Sequence, residues 1–246
     1  MAGETKMVQV APGVEMTITV FTPDEMTKFD TDYPKVISHF TQGSVAPDKR
    51  HVISDWFDET VEVYKLIGQA CKNDISPNAG VFQGMRATTG FGFSMIRPDY
   101  LVPIAQGRTY DATVVALVAN NWYGLYHNAA IGAAYNAVPL YLRKELGIGI
   151  VGMLEIGADN IIEEMQWEIN GKPLPVFDMV RQMVGSDFRA FRYPSVEYLK
   201  PAIQYRSQAK FAAAAGDTKM TPLGLVFATS DYLRNTVPVQ PTIVAP

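Results

Sequence analysis

The stretch Ile161-Ile162-Glu163-Glu164-Met165-Gln166-Trp167-Glu168-Ile169-Asn170-Gly171-Lys172-Pro173-Leu174-Pro175-Val176-Phe177 decides the fold class. Asn170-Gly171 is the dipeptide most favoured in type I′ hairpin turns, whose two central residues both need positive φ. The runs on either side, Ile161–Ile169 and Pro173–Phe177, are therefore expected as strands. The same β-prone character returns in Val196–Leu199, Ile203–Phe211 and Leu223–Ala228, with a turn expected at Gly216-Asp217 and a short helix around Asp178–Val184.

Working outward, Pro77, Gly80, Gly84, Gly90, Gly92, Pro98, Pro103 and Gly107 arrive every few positions, and between them lie Phe91–Ile96, Tyr100–Ile104 and Thr113–Val118. Short strands at such spacing favour a sandwich or barrel over alternating βα units. Near the start, Val14, Met16, Ile18 and Val20 alternate with Glu15, Thr17 and Thr19, which predicts a half-buried strand ended by Pro23. One helix is predicted over 55–72. Ser54 is placed at its N-cap, Asp55, Asp58 and Glu59 in the first turns and Lys65 and Lys72 toward its end, an order that complements the helix dipole. Trp56, Thr60, Val63, Ile67 and Ala70 form one stripe, expected to face the core, with a partner-binding face as the alternative. Ala129–Tyr135 reads as either a short helix or a tight loop closed by Pro139.

No linker splits the chain, so residues 1–236 are expected as one domain. Residues 237–246 repeat proline among β-branched residues and read as an extended arm that gains order by lying on a neighbour. The apolar run Asn120–Leu142 is interrupted by amides, His127 and Pro139, and Leu146–Leu154 is far shorter than the roughly 20 residues of a membrane-spanning helix. The small residues of 129–158 still suit close approach to lipid or to another subunit. Met1–Lys6 has neither the basic start nor the apolar core of a signal peptide, so synthesis in a cytoplasm is expected.

Residues that do chemistry are scarce. The 246 residues include three histidines (His39, His51, His127) and one cysteine (Cys71), and 19% are charged. The net charge of −4, without a Lys/Arg cluster, argues against direct nucleic-acid binding. A chain with a single cysteine has no internal disulfide, and Cys71 is expected as a small buried hydrophobe. Gly147-Ile148-Gly149-Ile150-Val151-Gly152 matches the dinucleotide fingerprint Gly-x-Gly-x-x-Gly. Its flanks lack the strand-to-helix context, so it is read as a glycine-rich strand or loop packed against another backbone. Two acidic groups, Asp55/Asp58/Glu59/Glu62 and Glu163/Glu164/Glu168, are read as solvated surface. The competing chemistry is a cation site or a glycosidase-like carboxylate pair. His127, among aromatics and amides, is read as a hydrogen-bonded structural histidine. No catalytic residue, cofactor site or metal site is assigned.

The expected fold is a mainly-β, jelly-roll-type sandwich with one inserted helix at about 55–72 and long Gly/Pro-rich loops. The succession Ile161–Ile169, Asn170-Gly171, Pro173–Phe177, Tyr193-Pro194, Ile203–Phe211 and Thr221–Phe227 resembles the strand rhythm of jelly-roll capsid proteins of icosahedral viruses, over roughly the last 90 residues. That resemblance implies a non-enzymatic structural protein that self-associates into a virion shell, assembled in a host cytoplasm. Residues 1–13 hold only Lys6, unlike the basic arms of capsid proteins that touch the genome. Genome contact would then run through an internal membrane or other virion proteins. The alternatives are a β-sandwich carbohydrate-active enzyme or sugar-binding protein using Glu163, Glu164 or Glu168 with His127, and a tube- or sheath-type assembly protein.

Overall fold

The structure, a computed structural model, describes residues 5–11, 14–19, 21–44, 50–75, 91–96, 98–101, 111–114, 120–125, 140–155, 162–179, 189–212, 216–229 and 232–233. Along them the chain forms β1 (Thr5–Ala11), β2 (Val14–Thr19), α1 (Pro23–Ser44), α2 (Arg50–Asp58), α3 (Val61–Ile75), β3 (Phe91–Met95) and a helical turn α4 (Pro98–Leu101). Then follow β4 (Asp111–Val114), β5 (Trp122–Leu125), β6 (Leu140–Tyr141), β7 (Leu146–Glu155), β8 (Ile162–Ile169), β9 (Lys172–Pro173), β10 (Phe177–Asp178), β11 (Arg189–Leu199), β12 (Gln204–Phe211) and β13 (Gly216–Thr229). The fold is mainly β, with two large antiparallel sheets and three helices.

Asn170 and Gly171 have φ of 51° and 73°, and the turn they make joins β8 to β9 as expected. The helical part differs. In place of one helix over 55–72 there are three, all preceding the first strand of the large sheets. Ser54 lies inside α2, and the chain breaks at Glu59-Thr60. Thr60 accepts the first bond of α3 from Tyr64 N–H (2.9 Å), while its hydroxyl turns back to the carbonyls of Trp56 and Phe57. The buried stripe of α3 is Tyr64, Ile67, Gly68, Cys71 and Ile75, and Val63 is 40% exposed. Pro23 does not end a strand: β2 stops at Thr19, and Pro23 is the first residue of α1. There Thr22 and Glu25 form a capping box, Glu25 Oε2 accepting from Thr22 N–H (2.9 Å) and Thr22 Oγ1 from Glu25 N–H (3.2 Å).

Four smaller expectations are also corrected. Pro173–Phe177 is not one strand: Pro173 ends β9 and Phe177 begins β10, with residues 174–176 between them outside the strands. Tyr100 and Leu101 belong to helical turn α4, not a strand. Gly216 and Asp217 begin β13, paired with Val114 and Thr113 of β4, and make no turn. Asp178, where a short helix was expected, lies in β10 beside Glu164. The expected features at 129–135, at 180–184 and in the arm 237–246 lie outside the described residues.

The six-stranded sheet runs β10-β8-β12-β5, with β9 beside β8 and β6 beside β12; the five-stranded sheet runs β11-β7-β13-β3, with β4 beside β13. One core draws on both sheets. It includes Ile148, Ile150 and Met153 of β7, Met165 and Trp167 of β8, Phe191 and Tyr193 of β11, and Tyr205 and Phe211 of β12. A second core lies between the opposite face of the five-stranded sheet and the helices, where Val151, Leu154, Leu223, Leu225 and Phe227 meet Phe29, Tyr33, Ile53, Phe57, Tyr64 and Ile67. The order of layers is sheet, sheet, helices.

The glycines of 147–152 make the second interface possible. A Cβ on Gly149 would lie 3.0 Å from Tyr64 Cε1, one on Gly147 2.7 Å from Cys71 Sγ, and one on Gly152 2.1 Å from the carbonyl oxygen of Phe191. The motif is a fully buried strand stripped of side chains where a helix and a neighbouring backbone press on it.

Candidate functional site

A cleft of about 360 Å³ lies between α1 and β3. Its lining is aromatic: Phe21, Phe29, Phe91, Phe93 and Phe227. The rings brace one another, with centroids 4.6 Å apart for Phe29–Phe93, 5.8 Å for Phe21–Phe91 and 6.4 Å for the stacked pair Phe91–Phe227. From α1 come Glu25, Lys28, Asp32 and Lys35, spaced so that one helical face supplies them all. Asp32 and Lys35 pair at 3.3 Å. Phe91, Gly92, Phe93 and Ser94 all border the cleft. Successive strand residues point to opposite faces, so four in a row meet one cleft only along an edge of the strand. The other edge of β3 is paired with β13.

Glu25 anchors this wall. Besides the capping box, its carboxylate accepts from Lys72 Nζ of α3 (2.6 Å) and from Phe91 N–H (3.3 Å). Burial alone would raise the Glu25 carboxyl, but the Lys72 bond, the Thr22 and Phe91 amides and the Lys72 charge together hold it below its ordinary value of 4.5. Lys72 also sits 5.8 Å from the Phe21 ring centroid. One carboxylate thus joins the start of α1, the end of α3 and the first residue of β3. The site is a preformed aromatic trough with a mixed-charge rim, suited to holding an apolar, extended or ring-bearing group.

The residues weighed in the sequence fall elsewhere. Glu164 and Glu168 lie on the outer face of the six-stranded sheet, opposite Lys210 and Arg206 across the β8–β12 ladder, with Gln166 opposite Gln208 between them. Lys210 Nζ is 3.5 Å from Glu164 and 3.6 Å from Glu163, Arg206 Nε is 3.6 Å from Glu168, and the two amides bond at 2.6 Å. Of the helical acids, Glu59 pairs with Arg192 and Glu62 with Lys65. Glu163, Glu164, Glu168, Glu59 and Glu62 each face a cation, and no cluster of three metal-ligating side chains occurs among the described residues. Cys71 is fully buried. Burial pushes its thiol up to about 12, which leaves it inert as a nucleophile at neutral pH. His127 lies outside the described residues.

The cleft residues carried one sequence signal that the strand-end reading of Pro23 obscured. Thr22-Pro23-Asp24-Glu25 has the Ser/Thr-x-x-Glu form of a capping box with proline at the first helical position. No family model, no curated protein and no solved structure matches this chain.

Proposed function

We propose that the chain is a self-assembling structural protein, a coat protein building a virion shell, on a jelly-roll sandwich. The observation that carries this is the strand order. From β3 onward the eight principal strands are β3, β5, β7, β8, β10, β11, β12 and β13, and they alternate between the two sheets except at the β8–β10 step. The last of them, β13, lies between β3 and β7, and β12 lies between β5 and β8. Two interleaved Greek keys of this kind make the eight-stranded jelly roll, the architecture of many capsid and lectin domains. The helices form a third layer on one sheet. Their outer side carries apolar residues, Leu66 being 65% exposed one turn from Val63. Exposed apolar side chains at helical spacing favour contact with a further subunit.

Light scattering and negative-stain microscopy of the purified chain across concentration test this. Discrete oligomers or closed shells are expected, with Leu66→Asp raising the assembly concentration at least tenfold. A monomer at every concentration overturns the proposal, and an open tube moves it to the sheath class.

A second reading rests on the outer face of the six-stranded sheet, where the Glu164/Lys210, Gln166/Gln208 and Glu168/Arg206 rungs lie near the partly exposed Trp122, which pairs with Lys210. Amides and charges beside an aromatic ring suit sugar hydroxyls and faces. Calorimetric titration with neutral oligosaccharides, lost in Gln208→Ala, would favour it over assembly.

A further inference from the structure

We propose that the cleft between α1 and β3 receives the proline-rich segment 237–246 of a neighbouring copy of the chain. This rests on the self-assembly reading and names the contact that would make it.

The chemistry of the two surfaces matches. Pro238-Val239-Gln240-Pro241 has the P-x-x-P form, and a polyproline II helix repeats every three residues. Pro238, Pro241 and Val244 then share one face. Grooves lined by aromatic side chains bind such segments because the rings pack on pyrrolidine faces and the ligand is already extended, so little chain entropy is lost. The cleft offers the half-buried rings of Phe91 and Phe93 for that face, with the buried Phe21 and Phe29 as its floor. No side chain of residues 237–246 is charged, so their side chains enter without desolvating an ion, and the rim charges of Lys28, Asp32 and Lys35 remain at the mouth. The bordering edge of β3 supplies main-chain groups to an extended guest, and prolines suit such an edge because it needs only alternate N–H groups.

Position argues for exchange between copies. Leu233 itself lines the cleft, and three residues separate it in sequence from Val237. Ten residues in the polyproline II conformation span about 30 Å. A polyproline II segment of that reach, tethered only three residues from a residue of its own cleft, is better placed to enter the next one.

The test uses three full-length variants and native mass spectrometry with light scattering. Pro238→Asp with Pro241→Asp spoils the segment and leaves the cleft intact. Val36→Asp spoils the cleft and leaves the segment intact, and Lys28→Trp blocks the mouth from an exposed rim position should Val36→Asp fail to fold by circular dichroism. Each variant alone is expected to need at least tenfold more protein than wild type to assemble. An equimolar mixture of segment and cleft variants is expected to give a one-to-one heterodimer, because each supplies what the other lacks. If wild type assembles and the segment variant assembles equally well, or the mixture gives no heterodimer, this proposal falls while self-assembly stands. If wild type itself stays monomeric, both fall.

Discussion

Glu25 concentrates several jobs in one side chain: it caps α1, pairs with Lys72 and holds the first amide of β3. Its carboxyl is held below 4.5 in the folded chain, so the unfolded chain takes up the proton first as pH falls. The resulting stability is fully present above pH 4.5 and is lost as pH drops through the lowered folded value. Urea unfolding at pH 7 and at successive steps below pH 4.5 should show this decline. Glu25→Gln should cost about 2 kcal/mol at pH 7 and flatten the acid dependence. An unchanged slope in the variant would remove Glu25 from the account. Tyrosines act on the same scale: Tyr33 Oη donates to the Phe57 carbonyl (2.7 Å) and Tyr205 Oη to that of Leu101 (2.7 Å), so each buried hydroxyl finds a carbonyl on a different element.

At the scale of elements, β7 shows how a glycine pattern gets its meaning from neighbours. Gly152 lies where β7 shifts register, with Arg192 opposite it and Glu197 opposite Ile150, so that Tyr193–Val196 of β11 bulges out and carries Pro194 clear of the ladder. A methyl on Gly152 would meet a backbone oxygen, which has no rotamer with which to yield. Gly152→Ala is expected to cost more than 3 kcal/mol, at or beyond the upper end for overpacking, about 3 kcal/mol. Gly171→Ala, with open space around it but φ of 73°, is expected to cost only about 1 kcal/mol. Denaturant titration of both variants checks the order, and equal losses would refute the packing argument. Helix α1 was hidden from periodicity for a related reason. Pro34 interrupts its interior and polar residues dominate its length, so its place depends on packing Phe29, Tyr33 and Ile37 onto the sheet.

At the scale of the whole molecule, two apolar interfaces hold three layers, and buried polar bonds join the two sheets: Ile162 N–H of β8 donates to Glu155 Oε1 of β7 at 3.1 Å, and a second runs between side chains. Trp167 Nε1 of β8 donates to Tyr193 Oη of β11 at 2.6 Å, both side chains being almost fully buried. Trp167→Phe removes the donor and leaves the space of the indole's second ring empty. It should lower stability by about 3 kcal/mol, the combined cost of a buried hydroxyl deprived of its partner and a core cavity. The denaturant slope should stay unchanged, because the layers still unfold together. A second transition in the variant would show instead that this bond couples the sheets.

Local chemistry alone determined the elements whose signals are short-range: the Asn170-Gly171 turn, the strand β8 that leads into it, β3, and the half of α3 carrying Lys65 and Lys72. The buried character of Cys71 and the close packing of the 147–152 glycines as a strand were legible too, the latter because the residues flanking those glycines lack the strand-to-helix pattern. Tertiary structure alone decided which strands became neighbours, that three helices form a layer, that Glu163, Glu164 and Glu168 meet Lys210 and Arg206, and that five phenylalanines far apart in sequence converge beside Glu25. Strand pairing and cleft formation join residues many positions apart, and the free energy that selects them is the burial of faces against one another, which no local pattern encodes.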